Sequence, residues 1–403
     1  MTASETMLGP QLDRVQRLAM LAGIVGVLLC TVGLFIDRAQ FLRSYLWAYV
    51  YWNGLTVGSL GILLLHNVVG GRWGVVIRRL VEAGTRTLPL MLLLVVPILL
   101  GMSTLYIWTW PDIRAHDPSV HFKTSYLNVP FFIVRIVIYF SIWMFWAGML
   151  RRRSLEQDRT GDPSLIVRMR QISAPGLLIF VLTASFAFID LVMSLEPNWF
   201  STIYGAMFLI GQMLATFAFM IAILILLARQ EPFASIITVQ HFHDLGNLMF
   251  AFTVLWAYLS FSQFLIIWAG NLPEEIPWYL RRFSGGWAYV AVAIVAFHFC
   301  VPFVIMLFRF VKQNPNILYK VALWMIVVRM LDVFWVVEPA FYQDRMPLHA
   351  QVFGVSWMDL AAPLALGGIW VAAFIWHLKR YPLLPVNDPR LHEVPKRMVE
   401  GLQ

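Results

Sequence analysis

Apolar runs of about 20 residues, broken by short polar stretches, dominate the chain; a helix of that length crosses the hydrocarbon core of a bilayer. Ten such runs lie near residues 18–36, 45–69, 88–108, 129–150, 172–194, 202–228, 245–270, 285–308, 318–338 and 357–377. They predict an all-α, polytopic transmembrane protein of ten helices. The first run follows Arg14 and Arg17. It is longer than a signal-peptide core and lacks a small-residue cleavage site, so it reads as a retained helix.

An even number of spans puts both termini on one side, and the basic residues then sort between the two faces. The terminal side carries 21 of the 30 Lys and Arg, the opposite side seven, and Arg135 and Arg329 fall inside spans. By the positive-inside rule both termini are cytoplasmic. A basic surface of that kind suits anionic lipid headgroups, which makes membrane lipids the first expected partner. Trp47, Trp108, Trp110, Trp199, Trp268, Trp278, Trp287 and Trp357 cluster near the opposite ends of the spans, where an interfacial aromatic belt is expected.

Composition narrows the class further. With 60% apolar and 13% charged residues and a mean hydropathy of +0.72, a soluble enzyme, a disordered chain and a nucleic-acid reader are all excluded. Cys30 and Cys300 both sit in apolar runs and read as small buried hydrophobes. The chain has no CxxCH for haem attachment and no cysteine cluster for iron and sulfur, so no metal or haem of its own is expected.

An internal echo organises the spans. Asp190, five residues, then Glu196-Pro197 closes the fifth run, and Asp332, five residues, then Glu338-Pro339 closes the ninth, 142 positions later. Four helices separate the copies, so both run the same way through the membrane and the repeat is parallel. Residues 45–194 and 202–338 are therefore read as two related four-helix bundles. The helices at 18–36 and 357–377 flank them, and a cytoplasmic tail covers 378–403. Glu-Pro stops each helix by itself, which accounts for Glu196 and Glu338 at their positions, and both also stand among the candidates for a proton path. Asp190 and Asp332 are not so explained, since each lies six residues, about 9 Å of rise, inside its helix end.

An ionisable group inside a span costs at least a few kcal/mol and faces a partner or a wet cavity. Arg135 with Asp190, and Arg329 with Asp332, are the expected pairs, fit for a structural ion pair, a proton route or a pocket for a quinone headgroup. His298 near the middle of the eighth run, His66 at the terminal-side end of the second, and His241, His243 and Asp244 opening the seventh extend the candidate proton path, because histidine exchanges protons near neutral pH. No role is assigned to His116, His121, His349, His377 or His392.

Four stretches resemble one family. These are His66-Asn-Val-Val-Gly-Gly-Arg-Trp73-Gly, Arg78-Arg79-Leu-Val-Glu82, His241-Phe-His-Asp-Leu-Gly-Asn247 and Asn271-Leu-Pro-Glu-Glu-Ile-Pro-Trp-Tyr279. They are similar to the F subunit of alternative complex III, within the superfamily of polysulfide- and nitrite-reductase membrane subunits. The resemblance covers essentially the whole chain and implies two four-helix bundles in a bacterial inner membrane. It implies a metal-free membrane subunit of a quinol:electron-acceptor oxidoreductase, in respiratory or photosynthetic electron transfer. Expected partners are a paralogous quinol-binding subunit, an iron–sulfur subunit and c-type cytochrome subunits. The paralogue usually carries the menaquinol or other quinol site, so for this chain a proton path through Asp190, Asp332, Arg135 and Arg329 ranks ahead of quinol binding. A secondary transporter and a purely structural scaffold are the alternatives the residues leave open. A b-type haem subunit is disfavoured because His298 is the single histidine at mid-membrane depth.

Overall fold

The computed structural model describes residues 5–342, 353–385 and 387–391. Arg345, His349, His392 and the rest of the tail beyond 391 lie outside them. Among the described residues there are ten long helices: α1 (Glu5–Ile36), α2 (Arg38–Val69), α3 (Arg72–Leu100), α4 (Val129–Thr160), α5 (Ser164–Leu191), α6 (Tyr204–Leu227), α7 (Val239–Gly270), α8 (Trp287–Leu307), α9 (Pro315–Val337) and α10 (Met358–Leu378). No strand occurs among the described residues. Nine of the ten are long and apolar enough to cross a membrane, which makes this a multi-pass membrane protein. The exception is α9, whose 23 residues include Lys320, Arg329 and Asp332.

The two most enclosed helices, α2 and α6, pack against each other at the centre. Small residues allow the approach: a Cβ on Gly54 would stand 2.2 Å from the Gln212 side chain and one on Gly58 2.2 Å from Thr216 Oγ1. Around α2 gather α3 and α5, with α4 against α5; around α6 gather α7 and α9, with α8 against both of those. At one edge α1 lies along α10, again through small residues, since a Cβ on Gly26 would meet the Ala365 backbone nitrogen at 2.4 Å. Close backbone approach through glycine is how helices associate where lipid supplies no hydrophobic drive.

Three expectations need correction. The stretch after α2 is no surface loop, because Arg72–Thr85 is a buried helical start to α3. Its Arg78 and Arg79 do not face lipid headgroups; both are buried, with Arg78 on Glu82 and Asp388 and Arg79 on Glu82, Ser154 and Asp158. Paired opposite charges, which raise the polarity of the segment without exposing it, hid this helix from an apolar-run reading. The tryptophan belt is also smaller than expected. Trp47, Trp108, Trp199, Trp278 and Trp287 are core residues, whereas Trp110, Trp268 and Trp357 are exposed. Aromatic packing holds the buried ones, as in the stacked Trp199 and Trp278 with centroids 5.0 Å apart. Finally, Cys30 is buried but Cys300 is exposed, on the outward side of α8.

Candidate functional site

The two copies of the echo are furnished differently. In the first, the Asp190 carboxylate is fully buried and accepts four hydrogen bonds, two on each oxygen. Arg135 donates from Nε at 2.8 Å and Nη2 at 3.0 Å, Tyr126 from its hydroxyl at 2.9 Å and Tyr139 from its hydroxyl at 2.8 Å. Arg135 also donates to the Tyr126 carbonyl at 2.8 Å and lies 3.8 Å over the Tyr126 ring. Every acceptor position of the carboxylate is occupied by a donor aimed at its charged form, which describes a closed ion pair. Glu196, at the end of the same copy, is held by Arg281 and Arg282 from the segment Pro277–Arg282 that follows α7. Arg282 also donates to the Val336 carbonyl near the end of α9 at 2.6 Å. Glu196 thus ties the first bundle to the second.

In the second copy, Arg329 and Asp332 pair within α9. The guanidinium fits because α6 carries glycine opposite it: a Cβ on Gly211 would fall 2.4 Å from Arg329 Cζ. Its Nη2 reaches the Phe208 carbonyl at 3.4 Å, while its Nε has no partner. Beside this pair, α8 departs from α-helical geometry at Val295–Cys300, one turn of π-helix. Such turns arise where a side chain is re-aimed, often at functional sites. Here the side chain is His298, fully buried, with Nδ1 3.6 Å from Asp332 Oδ2 and its ring 4.0 Å from that of Trp256. Neither ring nitrogen has a hydrogen-bond partner.

A cavity of about 470 Å³ adjoins the pair, within the size range of small-molecule sites. Arg329 and Asp332 form its polar wall together with Ser260, whose hydroxyl has no partner. Trp256, Trp278 and Tyr279 supply aromatic faces. Exposed Phe261, Val295 and Cys300 form its rim, so it opens sideways between α7 and α8 onto the apolar outer surface.

Other expected members lie apart from this site. His66, on α2 at the side bearing the chain's tails, is buried against Trp73 with both nitrogens unpartnered; it needs Gly74, where a Cβ would stand 1.9 Å from its Nδ1. His241 caps α7, its Nδ1 accepting from the Thr238 backbone N–H at 3.1 Å. His243 lies 3.3 Å from the Asn247 side chain, and Asp244 accepts from Gln240 at 2.6 Å. These three belong to the start of α7 and do not meet Asp332. Tyr126 and Tyr139, which complete the Asp190 cluster, were not singled out by sequence; a tyrosine at an expected ion pair was the available signal. Among the described residues no three His, Cys, Asp or Glu side chains gather as a metal site.

Neither a family model nor a curated protein matches this chain.

Proposed function

We propose that this chain is a membrane subunit of a bacterial quinol:electron-acceptor oxidoreductase and that Arg329, Asp332 and His298 form its proton-transfer site. The observation that carries this reading is the buried His298, free at both ring nitrogens and 3.6 Å from a carboxylate. Each buried unpaired polar group costs about 1–3 kcal/mol, a cost that His298 shares with His66; what sets His298 apart is the Asp332 carboxylate at 3.6 Å. A histidine left unpaired beside an acid is suited to receive a proton and pass it on. The Asp190 cluster, with every acceptor position filled, serves as a structural pin in this reading rather than as a second relay.

The cavity supports a second reading, in which a quinol headgroup reaches Asp332 from the bilayer through the opening between α7 and α8. Internal breaks in α3 and α8, the second and third helices of their respective bundles, do not correspond. Matched breaks are what a transporter built on repeats would present. The basic bias of the tail side supports cytoplasmic termini.

The test is purification from native membranes, followed by reconstitution in vesicles. Co-purification of iron–sulfur and c-type haem proteins, with proton release during quinol oxidation that Asp332→Asn or His298→Gln abolishes, is the expected result. A chain that purifies alone and moves a solute across the vesicle overturns the reading.

A further inference from the structure

On the side that bears the chain's tails, α3, α4 and α10 bring two arginines onto one aromatic ring. Arg86 lies at the turn within α3 that separates its charged start from the apolar stretch Leu88–Leu94. Arg151 directly follows the apolar run of α4, and Tyr381 comes three residues after the end of α10. Helix α3 packs against both of the other helices. The guanidinium carbon of Arg86 stands 3.9 Å from the centre of the Tyr381 ring and that of Arg151 5.1 Å from it, and Arg151 Nη2 also donates to the Tyr381 hydroxyl.

Arginines withdrawn from solvent elsewhere in this protein are met by acids, as Arg78, Arg79, Arg135, Arg282 and Arg329 are. Arg86 and Arg151 are different. Among the described residues neither forms an ion pair with a carboxylate, and the Nε of each is buried without a hydrogen-bond partner. Glu82, one turn before Arg86, is taken by Arg78, Arg79 and Ser154. The shared ring offers a π face and a hydroxyl, which attract the two cations but cancel neither charge. Two like charges held at one ring and partly withdrawn from water repel each other, and an anion placed between them relieves that cost.

The donor type and the location select the anion. Planar guanidinium forks match the oxygens of a phosphate, each able to donate two parallel hydrogen bonds. Next to Tyr381, Arg380 stacks at 3.3 Å over Trp376, which is 43% exposed near the end of α10. An exposed tryptophan at the end of a span marks the headgroup level of a bilayer, and basic pockets between helices at that level take the headgroups of anionic lipids.

We propose that Arg86, Arg151 and Tyr381 form a site for the phosphate of an anionic phospholipid, seated between α3, α4 and α10 on the side of the membrane that bears the chain's tails. The acyl chains stay in the bilayer, and the two arginines share the phosphate that neither acid nor ring supplies. The site has no residue in common with the cavity beside Asp332 and does not depend on the proton-transfer reading.

The experiment follows thermal unfolding of the full chain, in the assembly it purifies with, after delipidation in detergent. Short-chain phosphatidylglycerol, phosphatidylcholine of the same chain length and inorganic phosphate are titrated separately. Expected is a saturable rise in Tm with phosphatidylglycerol that exceeds the rise with either of the others. That excess falls in Arg86→Gln and in Arg151→Gln and is lost in the double variant, while Arg152→Gln, which removes an exposed cation at the next position, leaves it in place. An undiminished excess in the double variant overturns the proposal, as does an equal loss in Arg152→Gln, which would report diffuse surface charge. A rise with inorganic phosphate that matches phosphatidylglycerol overturns the assignment to lipid. Should the double variant fail to assemble, Arg86→Lys and Arg151→Lys decide, since each keeps the charge and loses the planar fork: a reduced excess supports the site and an unchanged one overturns it.

Discussion

The Nδ1 of His298 stands 3.6 Å from the Oδ2 of Asp332, just beyond hydrogen-bond reach, with Arg329 already on the same carboxylate. A small shift of either side chain closes the gap. The π-turn at Val295–Cys300 places the imidazole there, so the site depends on backbone geometry as much as on residue type.

Replacing His298 by Phe separates packing from chemistry. The variant keeps a ring against Trp256 and removes two unpaired nitrogens, each worth about 1–3 kcal/mol when buried. Thermal stability is expected to hold or rise while proton release stops. A fall of several degrees in Tm would show instead that polar contacts hold the ring.

Asp190→Asn and Asp332→Asn are expected to part company in denaturation experiments. An amide cannot accept all four donors around Asp190, so Arg135 is stranded and the cost is about 3–5 kcal/mol. Asp332 is held by Arg329 from its own helix and borders a cavity into which both side chains can shift, so its variant is expected to lose less. Equal losses at the two positions would contradict the contrast between a sealed and an open copy.

Gly26→Leu is expected to detach α1 from α10, since even a Cβ meets the Ala365 backbone at 2.4 Å. Gly148 in α4 has nothing within 4 Å of its Cβ position, so Gly148→Ala is tolerated and stabilises by about 1 kcal/mol through helix propensity. Protease access to α1 reads the first effect and Tm the second.

The segment after α10 is pinned by Asp388, which is fully buried against Arg78 at 3.1 Å and Arg390 at 2.6 Å. Burial alone would raise its carboxyl, but the Arg390 and Arg78 guanidiniums outweigh that and hold it below the ordinary aspartate range. Such a group stabilises the folded state above the ordinary aspartate value, about 3.9, and the contribution is lost as pH falls through the lower folded value. Proteolysis of the tail is therefore expected to accelerate on acidification below about pH 4 and, in Asp388→Asn, to be fast already at neutral pH. A pH-independent digestion rate in the wild type would refute the pinning role.

The helices were legible because twenty apolar residues in a row leave few alternatives, and both arginine–aspartate pairs followed from the cost of a lone charge in a span. The difference between the pairs was not legible. Asp190 and Asp332 share a spacing, yet what seals the first and opens the second lies elsewhere in the chain: Tyr126 in the turn before α4, Tyr139 on α4, and the π-turn on α8. The start of α3 was hidden by charges that cancel one another inside the protein.

The pairing of α1 with α10 bears on biosynthesis. Helix α1 finds its main partner in α10, which is synthesised only after all the other helices described above, with a lesser contact to α2. Until α10 is made, α1 has only its lesser contact to α2, and Gly23 and Gly26 stand as an open notch. Seating of α1 is then a late assembly step, and a chain truncated before residue 358 keeps that notch empty.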